Sequence, residues 1–184
     1  MTSWKTRSRR IVLSQPPWLV VEQHEVELPD GRVIPNWPWV ITPDYINIVV
    51  EMENGEFLCF EQAKYGLPEG TLAIVGGYLQ PGEDALAAAR RELREETGCV
   101  AGEWIPLGRY LVDPNRGMAN GHLFLARGAR VVGEPIPDDL EEQTAVYLTR
   151  QELREALDSG EIEVLAWAAA VSLALQYTEK TRPA

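Results

Sequence analysis

The sequence predicts an α/β (α+β) fold in which a mixed sheet is covered by helices, with an N-terminal β-hairpin as an extension. Three observations support this prediction. β-type apolar runs dominate residues 18–75, helical periodicity begins near Asp84, and strands and helices then alternate irregularly. Irregular alternation favours a mixed sheet over a regular βαβ array, in which each strand would be followed by a helix.

The N-terminal part is predicted to be a tail followed by a hairpin. The basic cluster within residues 5–10 is typical of a solvated tail. Residues 18–27 have a β-branched, alternating pattern, and Pro29-Asp30-Gly31 is a turn that leads into a second short strand. We therefore expect residues 1–44 to form a tail and β extension, and residues 45–184 to form the main domain.

The first core strands are predicted at residues 46–52 and 57–61, two apolar runs joined by a turn. The turn contains Asn54-Gly55, a strong hairpin signal. Residues 72–75 continue the β pattern, after which Gly76-Gly77 indicates a loop.

A helix is predicted from about Asp84 to Thr97. Apolar residues recur there at helical spacing, and Gly98 lies where a left-handed residue would end the helix. Further strands are expected at residues 104–111, 122–126 and 145–148, and further helices at residues 150–157 and 161–177.

Composition argues against several classes of protein. The net charge of -11 over 184 residues opposes binding to a nucleic acid, although metal ions would let an acidic site hold a small phosphate compound. No segment resembles a signal peptide or a membrane span, so we expect a soluble, cytoplasmic protein. Cys59 and Cys99 lack zinc-binding spacing and are expected to be buried thiols.

The informative motif is an acidic helix that follows a glycine-containing loop. Gly77 is followed after five residues by Glu83, and after seven more by Arg91-Glu92-Leu93-Arg94-Glu95-Glu96-Thr97-Gly98-Cys99. Glu92, Glu95 and Glu96 are three or four residues apart and share one helix face, where like charges repel unless a cation neutralises them. Mg²⁺ or Mn²⁺ suits such oxygen ligands. Alternatively, the interspersed arginines would make this an ordinary solvated helix.

The full spacing resembles the Nudix box, and every fixed position of that motif matches. The resemblance implies a Nudix-type α/β/α sandwich and a hydrolase that requires Mg²⁺ or Mn²⁺. It implies that Glu92 and Glu96 are the principal metal ligands and that Glu95 is a further ligand or activates water. The same resemblance implies that Arg91 orients a carboxylate of the box, and that metal or loop contacts come from Glu83 and the Gly76 carbonyl.

A general base would come, as in some relatives, from the acidic loop before the predicted strand at residue 145. Glu141 and Glu142 are the candidates there. A solvated acidic loop is the alternative interpretation.

Beyond the box, the chain resembles the ADP-ribose pyrophosphatase branch, which cleaves nucleoside diphosphate sugars. Pro114 lies sixteen residues after Gly98, and the N-terminal hairpin is similar to the extension that mediates homodimerisation in that branch. The resemblance implies a small nucleoside diphosphate substrate and a homodimer. One departure is that residues 73–77 read Ala-Ile-Val-Gly-Gly, where relatives commonly have Glu-Leu-Pro-Ala-Gly.

Candidate substrate contacts follow from residue type. Gly77 would let the backbone approach a phosphate closely, and Lys64 is the main cation near Gln62. Trp37 and Trp39 could stack a nucleobase or pack in a core or interface. Arg116 could contact a sugar or phosphate, or be a turn residue.

Two functional alternatives stay open on sequence grounds. The same box serves pyrophosphohydrolases of nucleoside triphosphates and dinucleoside polyphosphates. A non-catalytic Nudix-fold sensor of nucleotides is the other alternative, although a pure binding protein would not need the charge-crowded helix.

Overall fold

A computed structural model describes residues 3–67, 69–136 and 142–180. Ten strands and three helices are described. In chain order they are β1 (Lys5–Gln15), β2 (Leu19–Glu27), β3 (Val33–Ile41), β4 (Tyr45–Met52), β5 (Phe57–Gln62), β6 (Thr71–Ala73), β7 (Val75–Tyr78), α1 (Ala85–Thr97), β8 (Cys99–Asp113), β9 (Met118–Val131), β10 (Gln143–Leu148), α2 (Arg150–Ser159) and α3 (Leu165–Lys180).

The first of two compact units comprises Met1–Asp44 and Tyr110–Gly121. Its sheet has the order β1-β2-β3, and both strand pairs are antiparallel. The segment predicted as a tail is exposed but forms β1, because pairing with β2 satisfies its backbone groups. The predicted hairpin is formed by β2 and β3, and β1 adds a third strand that was not predicted, while the boundary after residue 44 stays a prediction.

The second unit comprises Tyr45–Arg109 and His122–Ala184. Its sheet has the order β10-β5-β4-β9-β8, with β6 paired to β5 and β7 paired to β4. Every residue from Ile46 to Val50 in β4 is at most 4% exposed. Since neighbouring strand residues point to opposite faces, both faces of β4 are covered, and α1 and α3 both pack on this strand.

Local signals set both ends of α1, and the predicted helix is confirmed. Asp84 accepts hydrogen bonds from the backbone N–H groups of Leu86 and Ala87, both at 3.0 Å, and so caps the N-terminus. Gly98 ends the helix with a φ of 68°. A Cβ at Gly98 would lie 2.0 Å from the carbonyl oxygen of Gly133, so glycine is required there for space as well as for conformation.

Several predicted boundaries were wrong. β8 and β9 begin before the predicted starts at residues 104 and 122 and extend beyond the predicted ends, and distant partners set two further boundaries. Gly76 and Gly77 belong to β7 and not to a loop, since they pair with β4 in the register Asn47↔Gly76. The last helix begins at Leu165, four residues after the predicted start at residue 161. Its preceding backbone is held by β6, because Leu72 N–H donates to the Glu161 carbonyl at 3.0 Å.

The described part of the chain has no helix that combines the length and apolar character needed to cross a bilayer. Its longest helix, α3, has 16 residues.

Candidate active site

Arg91 is the centre of an ion-pair cluster on α1. Its Nε and one terminal nitrogen donate to the two oxygens of Glu83, each at 2.9 Å, in a bidentate pair. Its other terminal nitrogen donates to Glu92 at 2.7 Å and to Glu95 at 3.0 Å. Hydrogen bonds of this charge-assisted, forked kind fix geometry as well as charge. Arg91 therefore contacts three of the four acidic residues of the motif, and its role in orienting them for the reaction stays a prediction.

Glu83 links this cluster to the loop that enters α1. Its carboxylate also accepts a hydrogen bond from the backbone N–H of Gln80 at 2.9 Å. The hydrogen bonds from Arg91 hold the pKa of Glu83 below its ordinary value of 4.5, and the Gln80 N–H adds to this effect. Conversely, the surrounding carboxylates raise the pKa of Arg91, and the hydrogen bonds to Glu83 make the largest contribution. The loop, the helix and the guanidinium thus form one connected charged unit.

Glu92 lies directly against Gly77 of β7. A Cβ built on Gly77 would be 2.2 Å from one carboxylate oxygen of Glu92. No side chain fits there without displacing the carboxylate, so the glycine leaves room for this placement of the Glu92 side chain. Packing of α1 on β4 and β7 holds the acidic face in this position.

A cavity of about 710 Å³ lies beside this cluster within the second unit. Glu96 lines it together with both glycines of β7. Lys64 also lines it, with its Nζ 5.8 Å from the ring centre of Trp167, another lining residue. The cavity thus combines acidic, basic and aromatic side chains with exposed backbone, a set suited to a charged ligand that has an aromatic part.

The donor types of this cluster fit a divalent cation. Carboxylates and a backbone carbonyl are the hard oxygen ligands that Mg²⁺ and Mn²⁺ prefer. Within residues 3–67, 69–136 and 142–180, no three histidine, cysteine or acidic side chains converge into a ready ligand set. Arg91 supplies the positive charge for Glu83, Glu92 and Glu95 in this arrangement. The assignment of Glu92, Glu95, Glu96, Glu83 and the Gly76 carbonyl as metal ligands stays a prediction.

A match to a known domain family covers the segment that contains this cluster. Residues 42–168 match the NUDIX domain family. The chain belongs to the Nudix family. Residues 4–40 of this Nudix chain match a second family, described as the nucleoside diphosphate sugar hydrolase N-terminal domain.

Individual relatives agree with the family assignment. The chain is 31% identical over 159 residues to a CMP-5'-(N-acetyl-N-hydroxy-3-aminopropyl)phosphonate hydrolase of Streptomyces rubellomurinus, covering 85% of this chain and 75% of the relative. It is 27% identical over 155 residues to an ADP-ribose pyrophosphatase of Bacillus subtilis, covering 84% and 82%. A methanol dehydrogenase activator of Bacillus methanolicus is 31% identical over 106 residues, or 56% of each chain.

A solved structure supports the fold. The crystal structure of an ADP compounds hydrolase superposes with a TM-score of 0.82 at 17% identity, covering 98% of this chain and 96% of that chain. The predicted Nudix fold is therefore confirmed. This Nudix chain is an enzyme that hydrolyses a phosphoanhydride bond, the diphosphate linkage of a nucleoside diphosphate derivative. Nudix hydrolases generally depend on a divalent metal.

Several predicted site residues of the Nudix chain lie in the first unit. Trp37 donates from its ring nitrogen to the Asn115 carbonyl at 2.6 Å, and Trp39 stacks on His24 with ring centres 5.2 Å apart. Arg116 pairs with Asp113 at 3.0 Å. These contacts occupy the three side chains within their own unit, and their role in substrate binding stays a prediction.

Of the two candidate bases, the structure describes only Glu142. Glu141 lies outside the described residues. Glu142 is exposed and directly precedes Gln143, which lines the cavity. The assignment of either residue as the base stays a prediction.

Sequence reasoning missed the amide and aromatic residues of the cavity. Asn47, Gln62 and Gln143 line it from β4, β5 and β10, and Tyr45, Tyr78 and Trp167 add aromatic surface. One signal was available for Asn47, because it is a polar residue within the apolar run at 46–50. A polar residue inside a fully buried strand is informative, since its burial costs free energy unless it has a partner.

Proposed function

We propose that this enzyme hydrolyses a nucleotide sugar, with ADP-ribose as the first candidate, to a nucleoside monophosphate and a sugar phosphate. The observation that carries the proposal is the shared cavity, in which Glu96 and the glycine pair of β7 lie with Lys64 and an aromatic wall. The match of residues 4–40 to an N-terminal domain of nucleoside diphosphate sugar hydrolases supports a sugar-linked substrate. The name of the Bacillus subtilis relative, an ADP-ribose pyrophosphatase, supports the same class.

The reaction adds one water across a bridging P–O–P bond, forming a P–O bond at one phosphorus and releasing the other phosphate as the leaving group. The proposed cofactor is Mg²⁺ or Mn²⁺, held by Glu92, Glu96 and their neighbours. When bound, such an ion neutralises phosphate charge and lowers the pKa of an attacking water. Arg91 keeps Glu83, Glu92 and Glu95 in fixed orientations, so that little reorganisation is needed when substrate arrives.

Other residues of the chain would bind the substrate and accept the proton of the attacking water. Lys64 offers a positive charge to an anionic phosphate, and Gly77 exposes its backbone at the cavity wall. Glu95, Glu141 and Glu142 are the proposed groups that accept the proton of the attacking water. Replacing each by glutamine and measuring kcat against pH would identify the base, because the loss of the base removes the acidic limb of the profile.

The test of this proposal is product analysis on a panel of substrates with Mg²⁺ or Mn²⁺. The panel contains ADP-ribose, GDP-mannose, a dinucleoside polyphosphate and a nucleoside triphosphate. Preferred formation of a nucleoside monophosphate and a sugar phosphate is the expected result. Release of pyrophosphate from the triphosphate, with nucleotide sugars left intact, would overturn the proposal in favour of a triphosphate pyrophosphohydrolase.

We also propose that the enzyme is a homodimer formed through the first unit. The exposed strand β1 carries three consecutive apolar residues, Ile11, Val12 and Leu13, each at least 42% exposed. Contiguous exposed apolar side chains are typical of protein interfaces. Light scattering should give twice the chain mass of 20.6 kDa, and a mass of one chain would refute this proposal.

A further inference from the structure

Asn47 is a buried carboxamide within the buried stretch of β4. It is 4% exposed, and its neighbours Ile46 and Ile48 are fully buried. Across the antiparallel pair of β4 and β7, Asn47 is the register partner of Gly76. The residue therefore lies beside the glycine pair that α1 approaches.

The oxygen end of the carboxamide is held over Gly76. A Cβ built on Gly76 would lie 2.5 Å from Oδ1 of Asn47, closer than real Cβ contacts allow. The Asn47 side chain thus occupies the space that a side chain at residue 76 would need, and the glycine makes room for it. This packing restricts the rotamers open to Asn47.

The nitrogen end of the carboxamide lacks a hydrogen-bond partner in the part of the chain that the structure describes. Nδ2 of Asn47 is buried and has no hydrogen-bond partner among the described residues. A buried donor without an acceptor is unfavourable, so its retention at the centre of a strand calls for an acceptor that comes from outside the protein. Asn47 lines the cavity together with Gly76, Gly77 and Glu96, so a turn of its carboxamide would bring Nδ2, which is buried in this structure, to a ligand bound there.

We propose that Nδ2 of Asn47 donates a hydrogen bond to a phosphate oxygen of the substrate, which makes Asn47 a substrate-binding residue. This assignment rests on the proposed function. A neutral donor suits this position because a cation here would pair with the nearby carboxylates, as Arg91 does. A carboxamide forms no ion pair and stays available to the phosphate.

The test compares Asn47→Ala and Asn47→Asp with the wild type. The alanine variant removes the donor, and the aspartate variant keeps the shape while offering only acceptors and a negative charge. Gln151→Ala, which removes an exposed amide side chain from α2, is the control. Each protein is assayed for kcat and KM on the preferred nucleotide sugar and for its melting temperature.

The expected result is a fall in kcat/KM of about tenfold or more for Asn47→Ala and a larger fall for Asn47→Asp. The melting temperature of Asn47→Ala should stay equal or rise, since an unpaired buried donor is removed. A kcat/KM within threefold of wild type in both variants would overturn the proposal. A lower melting temperature with unchanged kcat/KM would overturn it in favour of a purely structural role.

A failure of the proposed function would be recognised separately. If the wild type hydrolyses none of the panel, calorimetry of ADP-ribose binding to the wild type and to Asn47→Asp decides the matter. Weaker binding to the variant supports the assignment, and equal binding or no binding to either protein overturns it. The same calorimetry serves if Asn47→Ala does not fold, because the aspartate variant preserves the volume of the side chain.

Discussion

Replacing Arg91 by alanine should destabilise the fold and inactivate the enzyme together. The guanidinium is 24% exposed and holds three carboxylates, of which Glu92 is 14% and Glu95 43% exposed. Exposed ion pairs contribute about 0–1 kcal/mol, whereas removing one partner of a buried pair costs about 3–5 kcal/mol. This partly buried cluster lies between those limits, and we expect Arg91→Ala to lower the free energy of unfolding by about 2–3 kcal/mol.

The assay is denaturant unfolding followed by circular dichroism in buffer that contains a chelator. For a protein of this size the expected loss corresponds to a fall in Tm of about 4–12 °C. Arg91→Lys keeps the charge but lacks the planar fork, so it should recover only part of the stability. Added Mg²⁺ should restore some stability to Arg91→Ala, because it neutralises the same carboxylates, without restoring turnover.

The matched control is Arg90→Ala, which removes the neighbouring arginine on an exposed position of α1. Its loss should be less than about 1 kcal/mol, as for other surface substitutions. A free energy of unfolding for Arg91→Ala within about 0.5 kcal/mol of wild type would refute the reasoning, as would an equal loss in Arg90→Ala.

Three further predictions follow from contacts around α1. Gly77→Ala should lower kcat/KM by about 100-fold with little change in Tm, because the new Cβ must displace the flexible end of Glu92 and misplace it; kcat/KM within threefold of wild type would contradict this. Glu83 has a lowered pKa through its hydrogen bonds from Arg91, so its stabilising contribution is present above pH 4.5 and is lost as the pH falls through the folded-state pKa. The free energies of unfolding of wild type and Glu83→Gln should therefore differ most near neutral pH and become equal in acid. A difference that stays constant down to the acid transition would contradict a stabilising role of the ionised Glu83 carboxylate. Asp84→Ala removes the N-cap of α1 and should cost about 1 kcal/mol in denaturant unfolding, a loss that an unchanged midpoint would disprove.

The elements that the sequence predicted well are those with local causes. The start and end of α1 follow from an aspartate cap and a left-handed glycine, both of which act within a few residues. The spacing of the acidic motif similarly places Glu95 one helical turn after Arg91, within hydrogen-bonding reach of it. These features needed no knowledge of distant contacts.

The features that the sequence did not predict depend on contacts between distant segments. β1 is a polar, exposed segment that becomes a strand only because β2 pairs with it. The glycines of β7 became strand residues through their pairing with β4, which is about thirty residues away in the chain. The cavity collects Asn47, Gln62, Gln143 and Trp167 from four separate elements, and no local pattern brings such residues together.

The central claim is that the acidic face of α1 carries out diphosphate hydrolysis, and Glu96 tests it most directly because it lines the cavity. The measurement is metal-dependent kcat on the preferred nucleotide sugar for Glu96→Gln, with the exposed Glu155→Gln on α2 as the matched control. We expect Glu96→Gln to lose about 1,000-fold or more in kcat at an unchanged Tm, while Glu155→Gln keeps wild-type turnover. Full turnover by a folded Glu96→Gln variant would contradict the claim.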